Sequence, residues 1–223
     1  MYMLKRMPKK AGLVAFHISR HVGRIDRKKK SELTRRAIVD AAELVVGEFG
    51  YQGASISEIT RRAGVALGTF YRHFESRESL FDHLLPEAGE RMLEHVRIAV
   101  KGAQSALEVE RSGLEAFFDY LSRHPYFLRV LSEAQSLAPT AYEAHLKNVS
   151  RRYIRSLRRS KKRGELKRLR DDELETVVYI LMSAREYLAS RLYRSGKKVS
   201  PGSVIQTYLK FVQAAFTGDI GSP

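Results

Sequence analysis

Cysteine is absent from the 223 residues, which excludes disulfide scaffolds, thiolate metal sites and cysteine nucleophiles. Long apolar runs are absent too. The longest stretch free of Asp, Glu, Lys and Arg is eleven residues, Val199 to Leu209, and a membrane-spanning helix needs roughly 20 apolar ones. Both features predict a soluble intracellular protein with no membrane partner. The seven histidines show no HExxH spacing, and no glycine-rich phosphate loop, GxSxG elbow or zinc pattern occurs. His83 and Glu87 stand four apart around Pro86 without a third partner. The reading is therefore no enzyme, no catalytic residue, no metal and no cofactor.

Acidic residues are scarce: 25 Asp and Glu face 40 Lys and Arg, a formal charge of +15. Hydrophobic residues at 43% and charged residues at 29% fit a globular chain with one large domain or two small ones. The excess charge is concentrated. Residues 1–30 carry ten basic residues and one acid, a net +9, and residues 151–170 carry eleven and one, a net +10. The remaining 173 residues are left with −4. A pull of this kind suits a polyanionic partner, nucleic acid or a membrane surface. Residues 1–30 are expected to be a mobile arm, interrupted by Pro8, Gly12 and Gly23, with a short amphipathic helix from Gly12 to Val22 as an alternative. An organelle-targeting segment, or translation starting at Met7, are further readings of the same stretch.

Beyond the arm the chain reads as helix throughout, an all-α protein of about nine helices. Apolar residues recur at helical spacing in Ile38, Ala41, Ala42, Val45 and Phe49, and Gly50 then stands where a left-handed terminator belongs. Ser55-Ile-Ser-Glu58 is a capping-box pattern that opens a short helix ending near Ala63, and Gly64 makes the turn. A third helix is expected over Ala66 to His73. Ser76 caps a fourth, in which Pro86 predicts a kink or break. Ser112-Gly-Leu-Glu115 is read as the cap of helix five, Pro125 as the first turn of helix six, and Pro139 as the start of helix seven. Asp171 and Asp172 are read as opening helix eight, and Pro201 as opening helix nine.

Ser55 to Phe74, SISEITRRAGVALGTFYRHF, has the form of a helix-turn-helix. Ala63 is small where the helices cross, Gly64 tolerates positive φ, and Ile59, Val65 and Phe70 can hold the pair to helix one. The second helix would enter a major groove about 12 Å wide. From Thr34-Arg-Arg-Ala-Ile-Val-Asp-Ala-Ala42 through Phe49-Gly50 and GTFYRHF to Ser76-Arg-Glu-Ser-Leu80-Phe81, this stretch resembles the DNA-binding domain of the TetR (tetracycline-repressor) family of bacterial transcriptional regulators. The resemblance covers about fifty residues, and beyond residue 86 it is one of helical architecture and length only.

The resemblance implies residues 31–80 as the DNA-binding domain, with its helix-turn-helix at 55–74, and 81–223 as a ligand-binding and dimerisation domain. It implies Thr34, Ser55, Thr69, Tyr71 and His73 as phosphate contacts, Arg77 as a phosphate anchor, and Ser57 as a base contact. Ala66, Leu67 and Gly68 open the recognition helix. Ala66 and Leu67 cannot hydrogen-bond a base edge as polar residues in many relatives can, which leaves apolar contact with thymine methyls and shape readout. Residues 31–80 are net −1, so Arg24, Arg27, Lys28, Lys29 and Lys30 of the arm are the expected source of pull on DNA.

The function so implied is a cytoplasmic regulator at the bacterial nucleoid, most simply a repressor. It binds a pseudo-palindromic operator as a homodimer and is released by a small apolar or apolar-anionic effector that tilts helix four about Pro86. Phe117, Phe118, Tyr126, Phe127, Tyr153, Tyr179 and Met182 are candidate effector contacts, each also readable as plain core. Leu181, Leu188 and Leu192 with Val204, Phe211 and Ala215 are candidates for a four-helix dimer interface, joined by Val177 and Val178. Residues 151–170 read as a solvated helix end, or as a greeting for an effector's anionic end, a description that acyl-coenzyme A would fit. A non-specific architectural binder using the two basic segments alone is the rival class, and it would protect no discrete site in footprinting.

Overall fold

The computed structural model describes residues 11–194 and 201–217, with side chains from residue 26 to 193 and from 201 to 217. Among the described residues there are nine helices and no strand. None of these helices is long and apolar enough to cross a membrane.

The first helix, α1 (Ala11–Gly53), reaches back through Gly12 and Gly23. Residues 11–30 thus continue a helix where a mobile arm was expected, because one propagated helical residue costs far less than a new nucleus and the Arg20–Lys30 stretch is rich in good helix formers. Arg24 lies outside the residues whose side chains are described, whereas Arg27, Lys28, Lys29 and Lys30 are exposed. At the other end Gly50 has φ 75° and ψ 169°, which breaks the helix before its last turn. Ile38, Val39, Ala42, Val45 and Val46 are fully buried. Phe49, expected with them, is exposed instead, under the guanidinium of Arg62 at 5.7 Å.

Then come α2 (Ile56–Ala63), α3 (Leu67–Tyr71) and α4 (Arg77–Ala99). Pro86 lies inside α4 without breaking it. Its missing N–H and ring clash are offset by packing on either side, since Leu84, Leu85 and Ala88 are fully buried. The fifth helix, α5 (Ala106–Arg123), starts earlier than expected. Its cap is Ser105, whose Oγ accepts from Glu108 N at 3.1 Å, and Ser112-Gly113 falls mid-helix. Pro125 sits ahead of α6 (Phe127–Leu137). Pro139 opens α7 (Pro139–Lys162) as expected.

Asp171 and Asp172 stand before α8 (Leu174–Arg194), paired with Lys161 at 2.6 Å and Arg170 at 3.1 Å. The last described helix is α9 (Pro201–Thr217). One main core runs from Ile38 to Val212. A smaller cluster of Ala106, Leu157, Leu166, Leu174 and Val178 closes the turn between α7 and α8.

Candidate nucleic-acid interface and cavity

The helix-turn-helix is set by its caps. Ser55 Oγ accepts from Glu58 N at 3.2 Å, and Gly64 ends α2 in the left-handed region at φ 66°, ψ 33°. Val65 N donates back to Thr60 O at 3.1 Å, which turns the chain into α3. The reciprocal half of the capping box is replaced. Glu58 instead accepts from Arg61 Nε at 2.8 Å and Arg62 Nε at 2.7 Å, and these bonds hold its carboxyl down at about 2. Arg62 also clamps Glu48 on α1 through two bonds of 2.6 and 2.7 Å. Ile59, Phe70 and Phe74 are buried and seat α2 and α3 on α1.

That seating turns one face of α3 outward. Leu67 and Tyr71 are 54% and 52% exposed, and Ala66 and Gly68 are exposed beside them. Ser55 and Ser57 are exposed at the start of α2. Thr69 is half-buried, and its hydroxyl accepts from Arg72 Nη2 at 3.0 Å, leaving its own proton to donate. His73 is half-buried, with its pKa lowered by desolvation and by the charges of Arg72 and Arg35. It therefore offers one neutral N–H. Arg77 is drawn aside, pairing with Glu78 at 3.2 Å and donating to Gln52 O at 3.4 Å. Thr34 donates within α1, to Lys30 O at 2.9 Å. Arg72 received no role from the sequence; it is exposed at the end of α3, and its position inside GTFYRHF was the available signal.

A cavity of about 440 Å³ opens among α4, α5, α6, α7 and α8. Its inner end has Met92, Leu93, Phe127, Leu131 and His145. Burial pushes His145 down to about 4, so the ring is neutral and that end carries no charge. Towards the C-terminal part of α7 the wall becomes cationic, with Arg97, Arg152, Arg155 and Arg159. Arg152 pairs with Glu90 at 2.7 Å and Arg97 with Glu94 at 2.6 Å, whereas Arg155 and Arg159 are exposed without a carboxylate partner among the described residues. In the side wall Glu110 is fully buried and accepts from Arg185 Nη2 at 2.6 Å, Tyr208 Oη at 3.0 Å and Tyr153 Oη. No group of His, Asp and Glu suited to a metal ion occurs among the described residues.

Residues 38–84 match the family model of bacterial regulatory proteins, tetR family. The chain thus carries the N-terminal segment that marks the tetR family. An HTH-type transcriptional regulator of Haemophilus influenzae is 31% identical over 117 residues, 52% of this chain and 57% of that protein, so the chain spans little more than half of this relative. In overall fold it is similar to the fatty acid degradation regulator FadR from Bacillus halodurans, with a TM-score of 0.69 at 22% identity over 80% of this chain and 93% of that one. A TetR-like transcriptional regulator from Rhodococcus sp. RHA1 gives 0.65 at 20% identity over 85% and 97%. The family is one of transcriptional regulators, not of enzymes.

Behind this N-terminal segment the expected effector contacts divide. Phe117, Phe127, Tyr153 and Met182 line the cavity. Phe118 is buried elsewhere in the core, Tyr126 caps α6 against Gly47 of α1, and Tyr179 is exposed with its hydroxyl on Glu175 at 2.8 Å. The residues expected at a dimer face divide as well. Leu181 and Val178 are buried within their own chain, and Val177, Leu188, Leu192 and Val204 pack partly against its core. Ala215 is half-buried and Phe211 exposed. Ile180 and Tyr187, seven residues apart on one face of α8, are the exposed apolar groups that helical spacing left ambiguous.

Proposed function

We propose that this protein is a homodimeric TetR-family repressor of the bacterial cytoplasm and nucleoid, released from a pseudo-palindromic operator by an effector with an apolar body and an anionic end. The observation that carries the reading is the outward face of α3, where Leu67, Gly68 and Tyr71 stand free on a helix seated by Phe70 and Phe74. An apolar residue and hydroxyl groups on that face suit thymine methyls and phosphate oxygens. Lys28, Lys29 and Lys30, exposed on the extension of α1, supply the charge that residues 31–80 lack. Tyr187 and Phe211, each 67% exposed on α8 and α9, suit burial against a second copy.

The effector reading rests on the cavity, apolar and uncharged at its His145 end, with Glu186 and the Glu110–Arg185 pair in its wall, and cationic towards Arg155 and Arg159. Its volume is that of a small-molecule site. Release needs a path to α3, and α6 offers one. Phe127 and Leu131 face the cavity, while Arg129 donates to Gly47 O at 3.0 Å and Glu48 O at 2.8 Å, and Glu133 accepts from Tyr51 N at 2.9 Å. An effector that displaces α6 therefore displaces the end of α1 on which α2 and α3 sit. A few kcal/mol of differential affinity between two arrangements is enough. This path supplements the tilting of α4, whose continuity through Pro86 makes that proline a poor hinge.

Selection of bound sites from random DNA, followed by footprinting and sedimentation, tests the reading. The expected result is a two-fold symmetric site protected by a dimer. Asymmetric sites, or a monomer at micromolar concentration, would sink it.

A further inference from the structure

The wall residue Arg185 has a task that its ion pair does not exhaust. Its Nη2 donates to Glu110 Oε2 at 2.6 Å and its Nε to Tyr208 Oη at 3.3 Å. The guanidinium also lies over the Tyr153 ring at 4.9 Å. Its Nη1 has no hydrogen-bond acceptor among the described residues, and it is not sealed from open space, as the Tyr51 hydroxyl is. Gly113 is why it stays uncovered: a Cβ there would stand 3.5 Å from Nη1. Gly113, Tyr153 and Arg185 all line the cavity, as does Ser156, whose hydroxyl is likewise without a partner among the described residues. A guanidinium carries five N–H donors, and one that opens onto a cavity is satisfied by water or by an oxygen of the molecule that displaces it.

The charge of this donor is already balanced by Glu110. A carboxylate brought to Nη1 would stand beside a second carboxylate, whereas a neutral oxygen gains a charge-assisted hydrogen bond with no such repulsion. We infer that Arg185 Nη1 is a recognition point for a neutral carbonyl oxygen of the effector, set partway along its chain. Along α7 the distance from His145 to Tyr153 is about 12 Å and from Tyr153 to Arg159 about 9 Å. The ligand class is thus a substituted acyl compound (ester, thioester, amide or ketone) with an apolar tail of about 12 Å on one side of the carbonyl. Any anionic group lies on the other side, towards Arg155 and Arg159. A free fatty acid does not satisfy both points, because its only oxygens are its charge.

This inference rests on the cavity being the effector site, and the test keeps the two apart. The full-length protein is titrated calorimetrically with the five straight-chain undecanones, identical in size and differing only in where the carbonyl stands. The expected result is that one or two isomers bind about tenfold more tightly than the weakest. Binding of all five within twofold leaves the effector cavity standing and overturns the carbonyl site. Binding of none, with none for decanoate either, overturns both. In the double variant Glu110→Gln/Arg185→Met, which leaves no unpaired buried charge, the preference falls to within twofold while the affinity for the alkyl chain persists. A preference that survives there assigns the donor elsewhere and overturns the role of Arg185. Should circular dichroism show that variant unfolded, Gly113→Ala takes its place. Its Cβ meets Nη1 at ordinary contact distance and is expected to cut the preference, and an unchanged preference counts against the site.

Discussion

The DNA-facing surface and the cavity mouth both bristle with arginine, and they differ in how that charge is balanced. Of the six basic residues between 31 and 80, Arg35, Arg36, Arg61, Arg62 and Arg77 each face a carboxylate, and Arg72 is the one without such a pairing among the described residues. At the end of α7, by contrast, Arg151, Arg155, Arg159 and Lys162 are exposed with no carboxylate paired to them among the described residues. Charge in the first region is neutralised by neighbouring carboxylates, Arg62–Glu48 tying α2 to α1 and Arg35–Glu87 tying α1 to α4, and in the second it is left for something else. The surface proposed to read DNA is therefore the electrostatically quieter of the two, and on that proposal attraction and reading fall to different residues.

The largest effect expected from this contrast is at the α1 extension. Replacing Lys28, Lys29 and Lys30 with Gln should weaken binding to operator and scrambled DNA by similar factors. If all three touch phosphate, the log–log salt slope should flatten by up to about 2.7. An unchanged slope would place these lysines off the DNA.

The inner end of the cavity, where no charge is tolerated, gives the next effect. The buried imidazole of His145 has its pKa lowered from 6.5 to about 4. As pH falls below 6.5 the unfolded chain takes up a proton that the folded chain refuses. The stability associated with the neutral ring is thus present above pH 6.5 and is lost progressively down to about 4, on the order of 3 kcal/mol in all. Denaturant unfolding at pH 7 and 5 should show this loss in the native protein and a smaller one in His145→Phe. Equal losses would assign the acid sensitivity to other groups.

Arg72 and Arg61 sharpen the contrast within the DNA-binding unit. Arg72→Ala should flatten the salt slope by roughly 0.9, the share of one phosphate contact. Arg61→Ala, already engaged with Glu58, should leave it nearly unchanged, and equal slopes for the two variants would erase the distinction between paired and unpaired cations. Arg155→Gln with Arg159→Gln should leave DNA binding alone while weakening an anionic amphiphile such as decanoate relative to decanol. Smallest of all, Tyr71→Phe should cost about 0.5–1.5 kcal/mol of operator affinity, one neutral hydrogen bond, at constant slope.

The DNA-binding unit was legible in the sequence because its determinants are local. Ser55, Ala63, Gly64 and Phe70 act over three to ten residues, within reach of cap and spacing rules. The cavity was half legible: Phe117, Phe127, Tyr153 and Met182 were picked out as aromatic or soft residues on helical faces. Its polar wall was not, since Glu110 meets Arg185 from 75 residues away and Tyr208 from 98. A charged residue on a helix ordinarily faces water, and only the partner reveals otherwise. Leu181 and Val178 misled for the same reason, because spacing says that a face is apolar and not whether its own chain or another covers it. The start of α5 went astray where two cap signatures seven residues apart competed and Ser105 won over Ser112.

The bond from Glu133 to Tyr51 bears on how this protein can be recombined with others. Swapping residues 1–80 onto a foreign body is the natural way to build a hybrid sensor. In such a graft the Gly47 and Glu48 carbonyls would lose the guanidinium of Arg129, and the Tyr51 amide, just past the Gly50 break, would lose its carboxylate acceptor. Tyr51 itself sits fully buried with its ring edge-on to Phe81 at 4.7 Å, one residue beyond the cut. A working hybrid must therefore carry α6 along with the DNA-reading helices, or bring a donor helix with Arg and Glu four residues apart at the same place.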